Sequence, residues 1–138
     1  MRAILHHSSV KLRKHHDTLL ITGDGGTLLK DLADIGRLGV RCDAGCIGRS
    51  IKHISKPHHW FNADGETAMA WAKQVKEQTG AVTHTLGPVD GFDADWDIEQ
   101  PDYRYEEITG ERGRLHGSSA MFATLAGLAM GYDKIILA

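Results

Sequence analysis

A chain of 138 residues, 41% of them hydrophobic and 25% charged, has the make-up of one globular domain, which excludes disordered and fibrous classes. Sixteen basic residues against 18 acidic ones leave a net charge of −2 and no electrostatic case for nucleic acid. No apolar run approaches the roughly 18 residues needed to cross a bilayer, and Met1–His7 holds no sustained apolar segment of a secretory signal. The expectation is a cytoplasmic chain without a membrane partner.

Residues 1–17 mix basic and apolar side chains and receive no element. Leu19-Leu20-Ile21-Thr22 is a short apolar run that stops at glycines, the pattern of a buried strand. Leu28, Leu32 and Ile35 follow at helical spacing, with Thr27 as the expected N-cap and Gly39 as the stop. Ala44–Ile47 and His59–Ala63 read as the next strands. Asp64 is a candidate N-cap for a helix over residues 65–79, whose stripe is Ala68, Trp71, Ala72 and Val75. Ala81–Thr85 is a further strand. Residues 86–116 read as a long acidic loop, solvated or lid-like, because residues 88–107 carry eight carboxylates against Arg104 alone. Residues 118–130 form a helix with no charged residue, which should be buried on most sides, and Ile135–Leu137 closes the chain as a strand. Strands alternating with helices predict a single α/β domain over 1–138, a three-layer Rossmann-like parallel sheet with helices on both faces.

In parallel sheets, ligands bind beyond the carboxyl ends of the strands. Gly23-Asp24-Gly25-Gly26-Thr27 lies at such an end, and glycines followed by a helix N-terminus offer backbone N–H groups to an anion. It is neither a P-loop nor G-x-G-x-x-G, so a tight turn without a ligand is the alternative. Arg112-Gly113-Arg114-Leu115-His116-Gly117-Ser118-Ser119 sets basic side chains before a helix start, where Gly117, Ser118 and Ser119 either contact an anion or cap the helix. Asn62-Ala63-Asp64 ends a strand on the same edge and could hydrogen-bond a ribose or base. These turns are expected to form one anion pocket, with Arg112 or Arg114 offsetting Asp24.

A metal is not expected. Cys42 and Cys46 lack two further ligands at zinc-type spacing. Asp93-Ala94-Asp95-Trp96-Asp97 starts like a calcium loop, but Ile98 stands where glycine is needed and Arg104 where the bidentate Glu belongs. A divalent ion held by the Asp-x-Asp beside a diphosphate is the lesser alternative. His6-His7, His15-His16 and His58-His59 are read as surface or edge residues, because adjacent side chains diverge.

Leu20-Ile21-Thr22-Gly23-Asp24-Gly25-Gly26-Thr27-Leu28 resembles the opening strand and turn of the sialyltransferase-like Rossmann proteins, which include relatives of the motility-accessory-factor glycosyltransferases. Gly117–Met121 through Gly131–Leu137 is similar to their later serine-containing helix start and following strand. The resemblance implies a nucleotide or nucleotide-sugar site, often for a CMP-sugar, at Asp24, Thr27, Ser118 and Ser119, with Asn62 or Asp64 nearby. It implies a reduced glycosyltransferase-like transferase, of the kind phages or mobile elements carry, or a piece of a longer protein. Two departures stand out: Asp24 and Gly48 occupy positions where the family carries Asn. No His or carboxylate is assigned a catalytic role. The rival expectation is a non-catalytic structural or assembly protein, a homo-oligomer built through helix 118–130.

Overall fold

The computed structural model describes residues 2–99 and 119–138. Its elements in chain order are β1 (Arg2–Ser8), β2 (Thr18–Thr22), α1 (Leu28–Leu38), β3 (Asp43–Ile47), β4 (His59–Asn62), α2 (Met69–Thr79), β5 (Val82–Leu86), β6 (Ala94–Glu99), α3 (Ser119–Ala129) and β7 (Lys134–Leu137). Short 3₁₀ turns cover Gly48–His53 and Gly65–Thr67.

The strands form one sheet in the order β1-β6-β5-β4-β3-β2-β7. Strands β2 to β7 run parallel, with Leu19 opposite Asp43 and Ile135, and His84 opposite Phe61 and Ala94. β1 pairs antiparallel with β6, Ala3 opposite Ile98, with a register shift between Leu5 and His7.

The expected three-layer Rossmann-like parallel sheet is therefore corrected. The sheet is mixed and curls into a half-barrel. The physical reason lies in lengths and in burial. Seven strands at about 4.8 Å spacing span about 29 Å, whereas each 11-residue helix is only about 16 Å long. Of α1, only Leu28 is buried. Curling lets the sheet cover part of its own apolar surface.

Two cores result. On one face Phe122, Ala123 and Ala126 of α3 meet Leu19, Ile21, Phe61 and Trp96. The approach is close: a Cβ on Gly127 would lie 2.8 Å from Leu19 Cδ2. On the other face Trp60 and Cys46 meet Ile51, Ala72 and Val75. The expectation that the charge-free helix is buried on most sides is thus corrected: α3 buries one face, Phe122, Ala123, Ala126 and Gly127, and exposes Ala120, Met121, Leu128 and Ala129. α1 and α2 both stop at left-handed glycines, Gly39 and Gly80.

The acidic stretch is the second correction. Residues 94–99 are not a solvated loop but strand β6, inserted between β5 and β1. Ala94 and Trp96 are buried, and Asp97 and Glu99 point outward. Asp93 is buried at a defined partner: its Oδ2 accepts from Thr83 N at 3.0 Å and Thr83 Oγ1 at 3.2 Å, while Lys76 Nζ lies 3.3 Å from Oδ1. The rest of the expected loop, residues 100–116, lies outside the described residues.

Candidate functional site

Because β2 to β7 are parallel, their carboxyl ends meet at one rim. The glycine turn leaves β2 there. Gly23 N–H donates to Ala138 O at 2.8 Å, which ties the turn to the end of β7. Asp24 to Thr27 are exposed. Thr27 holds the N-cap position of α1 without capping it: its hydroxyl donates instead to Asp31 Oδ2 at 3.0 Å. Ser50 joins the ends of β2 and β3, its Oγ lying 2.8 Å from Thr22 O and 2.7 Å from Ile47 O.

At the end of β4, Asn62 Oδ1 accepts from Asp64 N–H at 2.8 Å, an Asx turn that shapes the strand exit. Asp64 does not cap α2 with its side chain, since the Gly65–Thr67 turn intervenes. Ser119 Oγ accepts from Ala63 N–H at 3.1 Å. The start of α3 therefore rests on the Asn62–Asp64 segment, and the two predicted site segments meet. The glycine turn lies on the same rim two strands away, about 10 Å by strand spacing. Gly117, Ser118, Arg112 and Arg114 lie outside the described residues. Beside Asp64, a cavity of about 200 Å³ opens between Ala63–Thr67 and Leu86–Val89. Asp64 and Glu66 line it and supply acceptors for hydroxyl groups.

The opposite half of the sheet carries a polar feature that sequence reasoning missed. Trp96 Nε1–H donates to His84 Nδ1 at 3.0 Å. His84 Nε2 lies 2.9 Å from His59 Nδ1, and His59 Nε2 lies 3.2 Å from Tyr132 Oη. Tyr132 Oη donates to Asp43 Oδ2 at 2.7 Å. The indole can only donate, so His84 Nδ1 must accept and its Nε2 must carry the proton. His59 Nδ1 then accepts, and His59 Nε2–H donates to Tyr132. The chain has one direction, from Trp96 on β6 to the carboxylate on β3, with both histidines neutral.

Asp43 is wholly buried. Burial alone would raise its pKa, but hydrogen bonds from Tyr132, the His15 N–H and His16 outweigh it and hold the group at about 2. His15 N–H donates to Oδ2 at 2.8 Å and His16 Nδ1 lies 2.9 Å from Oδ1. Burial, reinforced by His58, lowers His59 to about 4, and burial with His59 beside it drives His84 well below the usual range. Burial and the Asp43 carboxylate push Tyr132 up. The reading of the histidine pairs as ordinary surface or edge residues is thus corrected for His58-His59: His59 is buried, and the half-buried His58 accepts from Ala44 N–H at 3.0 Å through Nδ1. His15 and His16 do lie at the surface, where His16 reaches Asp43. A signal was present: His59 and Phe61 share strand parity, so an inward Phe61 implies an inward His59.

Among the described residues no group of three or more His, Cys, Asp or Glu is arranged to hold a metal ion, and no helix is long and apolar enough to cross a membrane. Comparison with family models, with curated proteins and with solved structures finds no match to this chain.

Proposed function

We propose that the chain binds a small phosphate-bearing ligand, a nucleotide or nucleotide sugar of the CMP type, at the rim formed by Gly23–Thr27, Asn62–Asp64 and Ser119. One observation carries the reading. Neither Gly25 nor Gly26 has a positive φ, and a Cβ on either would meet nothing within 4 Å. The fold does not require glycine at these positions, while two glycines cost backbone entropy. They leave the backbone open at the carboxyl end of β2, ahead of a helix whose first amides lack a side-chain cap. Phosphate suits this turn, and the Asp64–Glu66 cavity suits ribose hydroxyls. The resemblance to the sialyltransferase-like proteins supports the same ligand class, and a reduced transferase is the enzyme it would make. A cytoplasmic setting agrees with Cys42 and Cys46 being free thiols.

Calorimetry with CMP tests the reading. Asp24→Asn is expected to strengthen binding by removing a like charge beside the phosphate. Gly26→Val is expected to abolish binding at the rim, because a β-branched side chain would fill the approach. Equal affinities for the wild type and Gly26→Val would show that the rim is not the site.

The second reading, an assembly protein, draws on Leu137 of edge strand β7, 64% exposed, and on Leu38 of α1, 77% exposed. Light scattering separates the two: a Leu137→Lys change that dissolves a dimer and leaves CMP binding intact would make both true, and a monomeric wild type would end the second.

A further inference from the structure

We infer a second small-molecule site, distinct from the rim and independent of the reading given to it, between the 3₁₀ turn Gly48–His53 and α2. A cavity of about 440 Å³ opens there, lined by Arg49 and Lys52 on one side and by Trp71, Gln74 and Gln78 on the other. Local geometry explains why these side chains converge. In a 3₁₀ helix residues three apart eclipse, so Arg49 and Lys52 stand one above the other. In an α-helix positions i, i+3 and i+7 share a face, so Trp71, Gln74 and Gln78 form one stripe. Val75 and Ile51 close the floor between them.

The chemistry of the two walls is specific. Among the described residues neither Arg49 nor Lys52 has a hydrogen-bonding or ion-pairing partner for its side chain. The sequence from Ala44 to Ala63 holds Arg49, Lys52 and Lys56 and no carboxylate at all. Two like charges one turn apart repel, and an anion between them relieves that repulsion. Opposite stands Trp71, half-buried and held in place. Its ring meets the fully buried Trp60 edge-on at 5.1 Å and 62°, and Trp60 is itself anchored by Nε1–H donating to Gly48 O at 3.1 Å. A fixed aromatic face takes a flat ring by stacking. The Gln74 and Gln78 carboxamides can each donate and accept, as the edge of a heterocycle requires. A planar heterocycle that carries a doubly charged anion satisfies all three groups at once, and the volume falls within the range of small-ligand sites. The ligand class is therefore a nucleoside monophosphate, its base on Trp71 and its phosphate between Arg49 and Lys52.

The experiment is an NMR titration of the full chain with AMP, following the indole N–H resonances, beside adenosine and inorganic phosphate as half-ligands. The expected result is a saturable shift of the Trp71 resonance with the Trp96 resonance unmoved. An Arg49→Gln/Lys52→Gln double variant, which alters only exposed cations, is expected to lose at least about tenfold in AMP affinity, as loss of charge-assisted hydrogen bonds would give. Gly26→Val at the rim is expected to leave this shift intact, which keeps the two sites separable. An unmoved Trp71 resonance at millimolar AMP, or wild-type affinity in the double variant, overturns the site. Inorganic phosphate binding as tightly as AMP overturns the role of Trp71.

Discussion

The two halves of this sheet handle polar groups in opposite ways. Around Asp43, every polar atom of Trp96, His84, His59 and Tyr132 that lies inside the protein finds a partner, and the proton order along the chain is fixed. At the rim, Asp24 to Thr27 stand in solvent, the would-be cap Thr27 turns to Asp31, and two glycines occupy positions the fold does not constrain. A satisfied buried network rigidifies and specifies a structure. A helix start without a side-chain cap, on an open turn, is what the proposed ligand would need. The difference teaches where the fold depends on polar contacts and where it does not: changes in the buried chain should unfold the protein, and changes at the rim, where binding is proposed, should leave the fold alone.

The largest effect is expected from His84→Leu. It orphans the Trp96 indole N–H and His59 Nδ1 together, both inside the core. At roughly 1–3 kcal/mol for each buried group left unpaired, the loss should be about 4 kcal/mol in urea unfolding. A loss below about 1 kcal/mol would mean the chain of hydrogen bonds does not stabilise the fold.

Acid should act next. The unfolded chain binds a proton at His59 near its usual 6.5, whereas the folded protein binds one only near 4. As pH falls through that window the unfolded state gains protons that the folded state refuses, so stability drops. The full loss is on the order of 3 kcal/mol, with His84 acting in the same direction. Asp43 contributes stability above its usual 3.8, and that contribution is lost as pH falls from there to about 2. Urea unfolding from pH 7 to pH 4 checks this; a flat profile would contradict a buried neutral pair.

Tyr132→Phe should be milder, about 2 kcal/mol, because it removes one hydroxyl yet leaves His59 Nε2–H and Asp43 Oδ2 without their mutual bridge. The smallest change is expected at the rim. Gly26→Ala meets no steric obstacle and no positive φ, so thermal unfolding should show a gain of roughly 0.5 kcal/mol. A clear destabilisation there would show that the turn is held by contacts like those of the other half.

How much of this was legible in the sequence follows from the range over which each feature is encoded. Strands β2, β3 and β4 announce themselves as short, mostly apolar runs, β5 by its β-branched residues and β7 by Ile135-Ile136-Leu137, and α1, α2 and α3 by local spacing. β6 was missed although Ala94-Asp95-Trp96-Asp97-Ile98-Glu99 alternates perfectly. The eight carboxylates of residues 88–107 mask the alternation in total, because it appears only when each is placed on its own face of the strand. β1 was missed because most of its side chains are exposed and its partner lies 97 residues away, at Glu99. With both strands absent, the antiparallel edge and the curl of the sheet could not be read. The rim was legible because parallel strands share one carboxyl edge. The caps expected at Thr27 and Asp64 were not realised, since each side chain or its neighbour found a closer partner. The buried chain was illegible because its bonds join residues 12 to 89 positions apart.

The most direct test of the separation between the two halves is an amide and indole NMR titration of the wild-type chain with CMP. The expected result is saturable shifts at Gly23–Leu28, Asn62–Asp64 and Ser119, separate from those at the Trp71 site, with the Trp96 indole and the amides of His59 and His84 unmoved. Shifts centred on Trp96, His84 and His59 with an unaltered glycine turn would place the binding chemistry in the buried half and contradict the account.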